Sequence, residues 1–384
     1  MLHSHNGPVY KPAILCLCSL IAFTSCQTTA NHRRTGQTPP PDWQAGEDTP
    51  PPLIPGAPDI PLPPTDLPSP VVPADSKDSP STAPVRLGNS AAQIWVSTKR
   101  WALDNGLREP RAVPFAGGSA YALTTAHGEF TFQPGSLTSY WDGLELRLGY
   151  APQLSSGEIF LHVLDARKTL EILARGLAVA ASPRRVIVID PGHGGKNTGA
   201  RSVLDGRQEK EFTLDWALRL APLLEQRGWH VLLTRTNDVD ISLPDRVTFA
   251  NEQHADLFLS LHFNFPGSGN REPAGLETYV LTPTGMPSSI TRGYPDDARE
   301  IFPNNAHDAD NLRYAVRLHR AMLQVNGNND RGVRHARFLG VLRGQNCPAV
   351  LIEGGYLSSS KEAQLIALPV YRQRLAEAVA NALQ

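Results

Sequence analysis

The fold of the C-terminal half is decided by the stretch Val-Ile-Val-Ile-Asp-Pro-Gly-His-Gly-Gly at residues 186–195. Its first four residues are apolar and β-branched, which is typical of a central strand that is buried on both faces. The polar and glycine-rich residues after them place His193 just beyond the carboxyl end of that strand. Because ligand sites of open α/β sheets form at the carboxyl ends of the strands, the stretch predicts a functional site there.

The rest of this half alternates apolar strands with amphipathic helices. This alternation predicts an α/β fold with an open, largely parallel twisted sheet that is flanked by helices. Phe212, Trp216 and Leu220 recur on one face of the first helix, which predicts that this face packs on the sheet. Further strands are predicted at 230–233, 257–261, 276–280 and 349–352. Further helices are predicted at 244–252, 311–325 and 361–383.

Four polar side chains fall at predicted strand ends or at the start of the first helix: His193, Glu209, His262 and Glu353. Two imidazoles and a carboxylate are the ligand type of a catalytic zinc site, whereas structural zinc usually has cysteine ligands. Cys347 is the only cysteine in this half of the chain, which disfavours a structural zinc site. The glycines around His193 let the backbone turn sharply and leave the imidazole accessible.

Taken singly, each of these residues also has an ordinary structural interpretation. His193 could be a turn residue, His262 a hydrogen-bonded core histidine, and Glu209 a carboxylate that stabilises a helix N-terminus. Glu211 competes with Glu209 for the same role. Asn264 either contacts the substrate or the ligand shell, or caps its own loop. The pattern of residues alone leaves these alternatives open.

A longer series of segments resembles the zinc-dependent N-acetylmuramoyl-L-alanine amidase family, whose catalytic domain opens with the motif DPGHGG. The similarity begins near Arg185, runs to the C-terminus and keeps the family's order and spacing. The matching segments are VIVIDPGHGGKNTGA, QEKEFTLDWALRL, VLLTRTND, LPDRVTFANEQHADLFLSLHFN, GLETYVLT, DRGVRHARFLGVLR and PAVLIEGGYLSS.

The resemblance implies a role for each of the four polar residues. His193, Glu209 and His262 would bind Zn²⁺, and Glu353 would be the catalytic glutamate. The family's Glu-Lys pair at the start of the helix falls on Glu209 and Lys210, which favours Glu209 over Glu211. Two further family counterparts are predicted to be structural ion-pair residues, namely Arg235 and Arg246.

The resemblance also implies that peptidoglycan is the substrate, in remodelling of the cell wall or in division. The bond cut would be the amide between the lactyl group of N-acetylmuramic acid and the L-alanine of the stem peptide. Two alternatives stay open: a zinc peptidase or amidase that acts on another wall bond, and a non-catalytic wall-binding module. All four site residues are present, which argues against the module.

Residues 95–182 predict a small α+β domain, with strands at 120–124 and 129–132 and a helix at 166–177. The order of its glycine and hydrophobic positions resembles the N-terminal domain of copper amine oxidases. That module does not carry the copper chemistry, so no metal is expected from it. His127 and His162 are isolated histidines for which surface or packing roles are expected.

Residues 1–26 have the features of an export signal, with a weakly basic start and an apolar run that is too short to span a bilayer. The run ends in Phe-Thr-Ser-Cys, which resembles a bacterial lipobox with Cys26 as the lipidated residue. Lipoboxes favour leucine where Phe23 stands, so cleavage nearby without lipidation is the alternative. We expect an exported, periplasmic protein whose only membrane attachment is a lipid at Cys26, as in an outer-membrane lipoprotein of a Gram-negative-type bacterium.

Residues 27–90 predict a disordered, proline-rich linker, since they have few apolar residues and no helix or strand period. The predicted organisation is therefore a signal peptide over 1–26, the linker over 27–90, a small domain over 95–182 and a catalytic domain over 184–384. A formal net charge of −1 over 384 residues provides no basic field for nucleic acid, so we expect no nucleic-acid partner. The sequence does not identify an activator protein.

Overall fold

A computed structural model describes residues 94–115, 118–180, 182–265, 273–325 and 329–384. The predicted signal peptide, Cys26 and the proline-rich linker lie outside the described residues. The described residues all belong to one structural unit. None of their helices has the length and apolar character that crossing a bilayer requires.

The region before residue 183 is built mainly from short strands. They are β1 (Trp95–Ser97), β2 (Arg111–Phe115), β3 (Gly118–Thr124), β4 (Glu129–Phe132), β5 (Thr138–Trp141), β6 (Leu144–Arg147), β7 (Gln153–Ser155) and β8 (Glu158–His162). The helices are α1 (Thr98–Asp104), α2 (Val163–Asp165) and α3 (Glu171–Ala174), and a π-helical turn at Ala166–Leu170 joins the last two. The strands predicted at 120–124 and 129–132 are confirmed. The predicted helix at 166–177 starts earlier, at Val163, and ends at Ala174, because Gly176 with a φ of 93° turns the chain away.

The region after residue 183 alternates strands with helices. The strands are β9 (Val186–Pro191), β10 (His230–Leu233), β11 (Leu257–Asn264), β12 (Leu276–Val280), β13 (Asp330–His335) and β14 (Ala349–Tyr356). The helices are α4 (Glu209–Glu225), α5 (Leu243–Glu252), α6 (Asp308–Leu323), α7 (Gly340–Arg343), α8 (Ser360–Ala367) and α9 (Pro369–Ala382). A 3₁₀ turn, Pro303–His307, precedes α6.

Eleven of the described strands form one sheet in the order β10-β9-β11-β14-β12-β13-β6-β5-β4-β3-β2. The pairs from β10 to β14 are parallel, β14 and β12 are antiparallel, and β12 and β13 are parallel again. This part of the sheet is therefore largely parallel, as the sequence predicted. Strands β2 to β6 form an antiparallel meander that joins β13 through a parallel pairing of Val333 with Leu146.

The two predicted domains thus share one mixed sheet, and a second antiparallel sheet of β1, β8 and β7 accompanies the meander. The domain boundary near residue 183 and the likeness of 95–182 to the copper amine oxidase module stay predictions. The core lies between the parallel strands and the helices. Every residue of β9 is buried, and α4 buries Phe212, Trp216, Leu220 and Leu224 against the sheet, as the apolar pattern predicted.

Two details differ from the sequence predictions. The single helix predicted at 361–383 is two helices, because Leu368 has an extended backbone before Pro369, which opens α9. Strands β11 and β14 continue beyond their predicted ends, through Asn264 and Tyr356, because their register pairing persists there. His262 and Glu353 consequently lie within strands rather than in the loops that follow them.

Candidate active site

The site lies at the carboxyl end of the neighbouring parallel strands β9, β11 and β14. His193 lies in the loop after β9, and Glu209 is the first residue of α4. His262 of β11 and Glu353 of β14 are direct partners in the strand register. The fold therefore brings together all four residues that the sequence singled out.

Three of these side chains form a compact donor cluster. His193, Glu209 and His262 each offer one nitrogen or oxygen, and these atoms all lie within 4.8 Å of one another. His193 Nε2 is 3.1 Å from Glu209 Oε2, and His262 Nδ1 is 3.0 Å from Glu209 Oε1. A nitrogen and carboxylate set of this size could hold one metal ion.

Glu209 is held in place by the backbone around it. Its Oε2 accepts a hydrogen bond of 2.9 Å from the N–H of Ala200, and its Oε1 accepts one of 3.0 Å from the N–H of Phe263. Burial by itself raises the pKa of Glu209, but the neighbouring imidazoles of His193 and His262 outweigh burial and hold it below its usual value. The side chain is therefore an anionic carboxylate.

Glu211, the competing candidate, has another role. Its Oε1 accepts a hydrogen bond of 2.9 Å from the N–H of Gln208, as part of a capping box at the start of α4. The carboxylate in the donor cluster is that of Glu209.

The orientation of His193 is set by two contacts. Its Nδ1 lies 2.8 Å from Asn197 Oδ1, and because an amide oxygen only accepts, Nδ1 donates this bond and Nε2 is the nitrogen that faces Glu209. Its carbonyl oxygen accepts a hydrogen bond of 2.8 Å from Arg246 Nη2. His193 has a φ of 63°, a backbone conformation that few residues other than glycine adopt.

Two glycines allow the close approach of the cluster. A Cβ on Gly192 would lie 2.3 Å from His262 Cε1, and a Cβ on Gly199 would lie 2.6 Å from Glu209 Oε2. Any side chain at either position would displace a member of the cluster. This is the physical reason for glycine at both places.

A buried ion pair lies next to the loop that carries His193. Arg246 Nη1 donates to Asp190 Oδ1 at 2.6 Å, as the sequence predicted for Arg246. Asp190 also accepts hydrogen bonds from Thr234 Oγ1 at 2.6 Å and from Ser260 Oγ at 2.8 Å. The contacts of Asp190 thus connect β9 to α5, to β11 and to the chain that leaves β10.

Arg235 differs from its predicted ion-pair role. Its guanidinium donates to the carbonyl oxygens of Pro191 at 2.9 Å, Gly192 at 2.8 Å and Lys210 at 2.9 Å. Among the described residues, no carboxylate lies within ion-pair distance of the Arg235 guanidinium. Backbone carbonyl groups surround it instead. Arg235 therefore fixes the backbone of the loop that carries His193.

Glu353 is buried beside the donor cluster, and its Oε2 has no hydrogen-bond partner among the described residues. Burial raises the pKa of Glu353 well above its usual value, and the negative charge of Glu209 raises it further. Arg292 opposes this rise. A carboxyl group in such a place is suited to accept and release a proton.

The hydrogen bonds of Asn264 favour the structural alternative. Its Nδ2 donates to Glu277 Oε2 at 2.6 Å, and its Oδ1 accepts from the N–H of Phe265 at 2.9 Å. The side chain thus caps its own loop and binds the buried carboxylate of Glu277.

Glu277 was not singled out from the sequence. It pairs directly with Glu353 across the antiparallel β12–β14 register. Its carboxylate accepts hydrogen bonds from Tyr279 Oη at 2.7 Å and from Arg331 Nε at 2.8 Å. A lone glutamate within the apolar strand pattern at 276–280 is the signal that could have found it.

A cluster of histidines and a carboxylate beside a second buried carboxylate, at the carboxyl edge of an α/β sheet, is the arrangement expected of a hydrolase. Residues 187–384 match the family described as N-acetylmuramoyl-L-alanine amidase. Because the match spans more than half of the chain, this protein belongs to that family, and it is a peptidoglycan amidase.

The chain is similar to several proteins with this name. The N-acetylmuramoyl-L-alanine amidase AmiA of Salmonella typhimurium is 30% identical over 221 residues, which cover 52% of this chain and 75% of that protein. The amidase CwlM of Bacillus licheniformis is 35% identical over 199 residues, 51% of this chain and 66% of that protein. A solved N-acetylmuramoyl-L-alanine amidase from Clostridium difficile 630 is 32% identical, covers 53% of this chain and 96% of its own, and has a TM-score of 0.43.

Proposed function

We propose that the chain is a zinc-dependent amidase that cuts the amide between the lactyl group of N-acetylmuramic acid and the L-alanine of the stem peptide. The observation that carries the proposal is the cluster of His193, Glu209 and His262 within 4.8 Å, with Glu353 on the adjoining strand. Peptidoglycan is the substrate class that this bond implies, and wall remodelling or division is the proposed context.

The donor set fits zinc. Two imidazoles and one carboxylate are typical of catalytic zinc sites with three protein ligands, which leave one position for water or substrate. The backbone bonds to Glu209 and the bond of Asn197 to His193 Nδ1 orient the donors, as the partners of zinc ligands usually do. When bound there, zinc would lower the pKa of a water molecule to about 7 and polarise the substrate carbonyl.

The chain's own acid–base group is Glu353. Its Oε2 accepts the proton of the attacking water and then passes it to the nitrogen of the departing L-alanine. The raised pKa of Glu353 suits both steps, because the carboxyl group holds the proton between them. Burial of the group keeps bulk water from competing for this proton.

Removal of the metal tests the proposal. We expect about one zinc per chain and loss of activity with a chelator, followed by recovery when zinc is added back. The measurement is metal analysis together with release of peptide from peptidoglycan, with circular dichroism to show that the chelated protein stays folded. Full activity in metal-free protein would contradict zinc dependence.

We also propose that the protein is exported to the periplasm and that Cys26 carries a lipid anchor in the outer membrane. The apolar run before Cys26 and the lipobox-like residues 23–26 support this. Fatty-acid labelling that disappears in Cys26→Ala is the expected result, and labelling that persists in the variant would refute the anchor.

A further inference from the structure

The segment between β12 and the 3₁₀ turn Pro303–His307 contains turns but no helix, and it carries Arg292 at the tip of one of them. The N–H of Tyr294 donates to the carbonyl oxygen of Thr291 at 2.8 Å, which closes a four-residue turn. The two central residues have positive φ angles, 47° for Arg292 and 79° for Gly293. Such a turn favours glycine or asparagine, so arginine at its first central position is unfavourable for the backbone.

The turn is fixed to the rest of the domain from both sides. Asp296 forms an ion pair with the buried Arg337, and its Oδ2 accepts a hydrogen bond of 2.7 Å from the N–H of Ser288. Arg337 Nη2 donates to the carbonyl oxygen of Met286 at 2.8 Å. The position of Arg292 is therefore set by the fold.

Arg292 stands at the edge of the active site. Its Nη2 lies 3.5 Å from Asn264 Oδ1, and its guanidinium carbon lies 5.5 Å from the centre of the Phe338 ring. Its positive charge lowers the pKa of Glu353 against the effect of burial. The side chain is exposed, so a bound substrate can reach it.

Among the described residues, Arg292 is an exposed arginine at the site without an internal counter-ion, whereas Arg235 is buried and bonded to backbone carbonyls. Arg246 pairs with Asp190, and Arg331 pairs with Glu277. In the described part of the chain, Arg292 contacts an amide oxygen and an aromatic ring, and it forms no ion pair with a carboxylate. An exposed guanidinium on an unfavourable backbone beside the catalytic carboxyl group points to an anionic ligand.

We propose that Arg292 determines specificity by binding the free carboxylate of the second stem-peptide residue, D-glutamate. The inference rests on the proposed function. One residue, L-alanine, separates this carboxylate from the scissile amide. Because an extended chain spans about 3.5 Å per residue, the protein group that binds the carboxylate has to lie close to Glu353. A guanidinium binds a carboxylate through two parallel hydrogen bonds and binds the corresponding neutral amide less well.

The test compares two disaccharide-peptide substrates that differ only in this group, one with D-glutamate and one with D-isoglutamine. The zinc-loaded full chain should cleave the carboxylate form with a kcat/KM at least about tenfold higher, the range of a hydrogen bond to a charged group. Arg292→Gly should bring this ratio close to one, mainly through a higher KM for the carboxylate substrate. Glycine accepts the positive φ, so the variant should be at least as stable as the wild type.

Arg299→Ala is the matched control, because Arg299 is exposed on the same segment and pairs with Asp297 at 2.7 Å. This variant should keep the wild-type ratio. Equal cleavage of both substrates by the wild type, or an unchanged ratio in Arg292→Gly, would overturn the role of Arg292 while leaving the amidase assignment intact. Failure of the zinc-loaded wild type to cut either substrate would instead overturn the proposed function and this inference with it.

Discussion

Glu209 and Glu353 are two buried carboxyl groups in one site whose pKa values shift in opposite directions. Burial raises the pKa of both carboxyl groups, but the imidazoles of His193 and His262 bring the pKa of Glu209 below its usual value. Glu353 has no such imidazole partners, and the charge of Glu209 raises its pKa further. Opposed shifts of this kind fit the proposed roles of Glu209 as an anionic ligand and Glu353 as a proton carrier.

Replacement of each glutamate by glutamine tests that separation. Glu353→Gln should keep its zinc and lose about 10² to 10⁴ in kcat, because an amide cannot accept the proton. Glu209→Gln should bind zinc more weakly, because it replaces an anionic donor with a neutral one, and excess zinc should restore part of its activity. The measurements are zinc content and steady-state kinetics. Loss of zinc from Glu353→Gln, or full zinc affinity in an inactive Glu209→Gln, would mean that the two roles are exchanged.

The local pattern of residues predicts where some site residues lie, whereas their roles follow only from the resemblance to the amidase family. His193 lies between glycines after an apolar strand, and Glu209 opens an amphipathic helix. Glu277 and Arg292 could not be predicted in this way, since their positions depend on contacts that form only in the folded chain. Glu277 lies beside Glu353 across the antiparallel pair of β12 and β14. Arg292 contacts Asn264 from a loop whose sequence has no periodic pattern.

Among the elements, strands with continuous apolar runs were predictable and irregular termini were not. The bounds of β10 and β12 agree with the sequence prediction. The ends of β11 and β14 were missed because their polar residues continue the strand register. The break before α9 was missed because the apolar helical period continues across Pro369 while the backbone does not.

The junction between α2 and the loop after β6 contains a buried carboxyl group, Asp165. It accepts hydrogen bonds from the N–H groups of Gly149 at 2.8 Å and Tyr150 at 3.0 Å. Burial raises the pKa of Asp165 from 3.8 to about 7, so the folded protein binds this proton more tightly than the unfolded chain does. The contribution of Asp165 to stability is therefore fully present below about pH 4 and is lost as the pH rises to about 7.

Asp165→Asn should remove this pH dependence, because an amide does not titrate. The unfolding free energy of the wild type minus that of the variant should fall by about 2 kcal/mol between about pH 5 and about pH 8. Denaturant titrations of both proteins at the two pH values provide the measurement. A difference that is the same at both pH values would show that Asp165 is ionised throughout.

The meander and the catalytic region are joined by more than one contact. Besides the pairing of β6 with β13, the N–H of Glu145 donates to Asp330 Oδ2 at 2.8 Å. Lys168 Nζ pairs with Asp308 Oδ2 at 2.8 Å, which connects the π-helical turn to α6. The family match begins at residue 187 and does not include the meander. Experiments on the enzyme should therefore retain residues 95–182, which cover one edge of β13.

Mass analysis of peptidoglycan digested by the purified, zinc-loaded chain is the direct test of the proposed reaction. Cleavage at the lactyl amide predicts free stem peptides with L-alanine at their amino ends, together with glycan strands that keep intact lactyl groups. Glu353→Gln should release neither product above background. Release of shorter peptides while L-alanine stays attached to the muramic acid would instead identify a peptidase that cuts another wall bond, and would contradict cleavage at the lactyl amide.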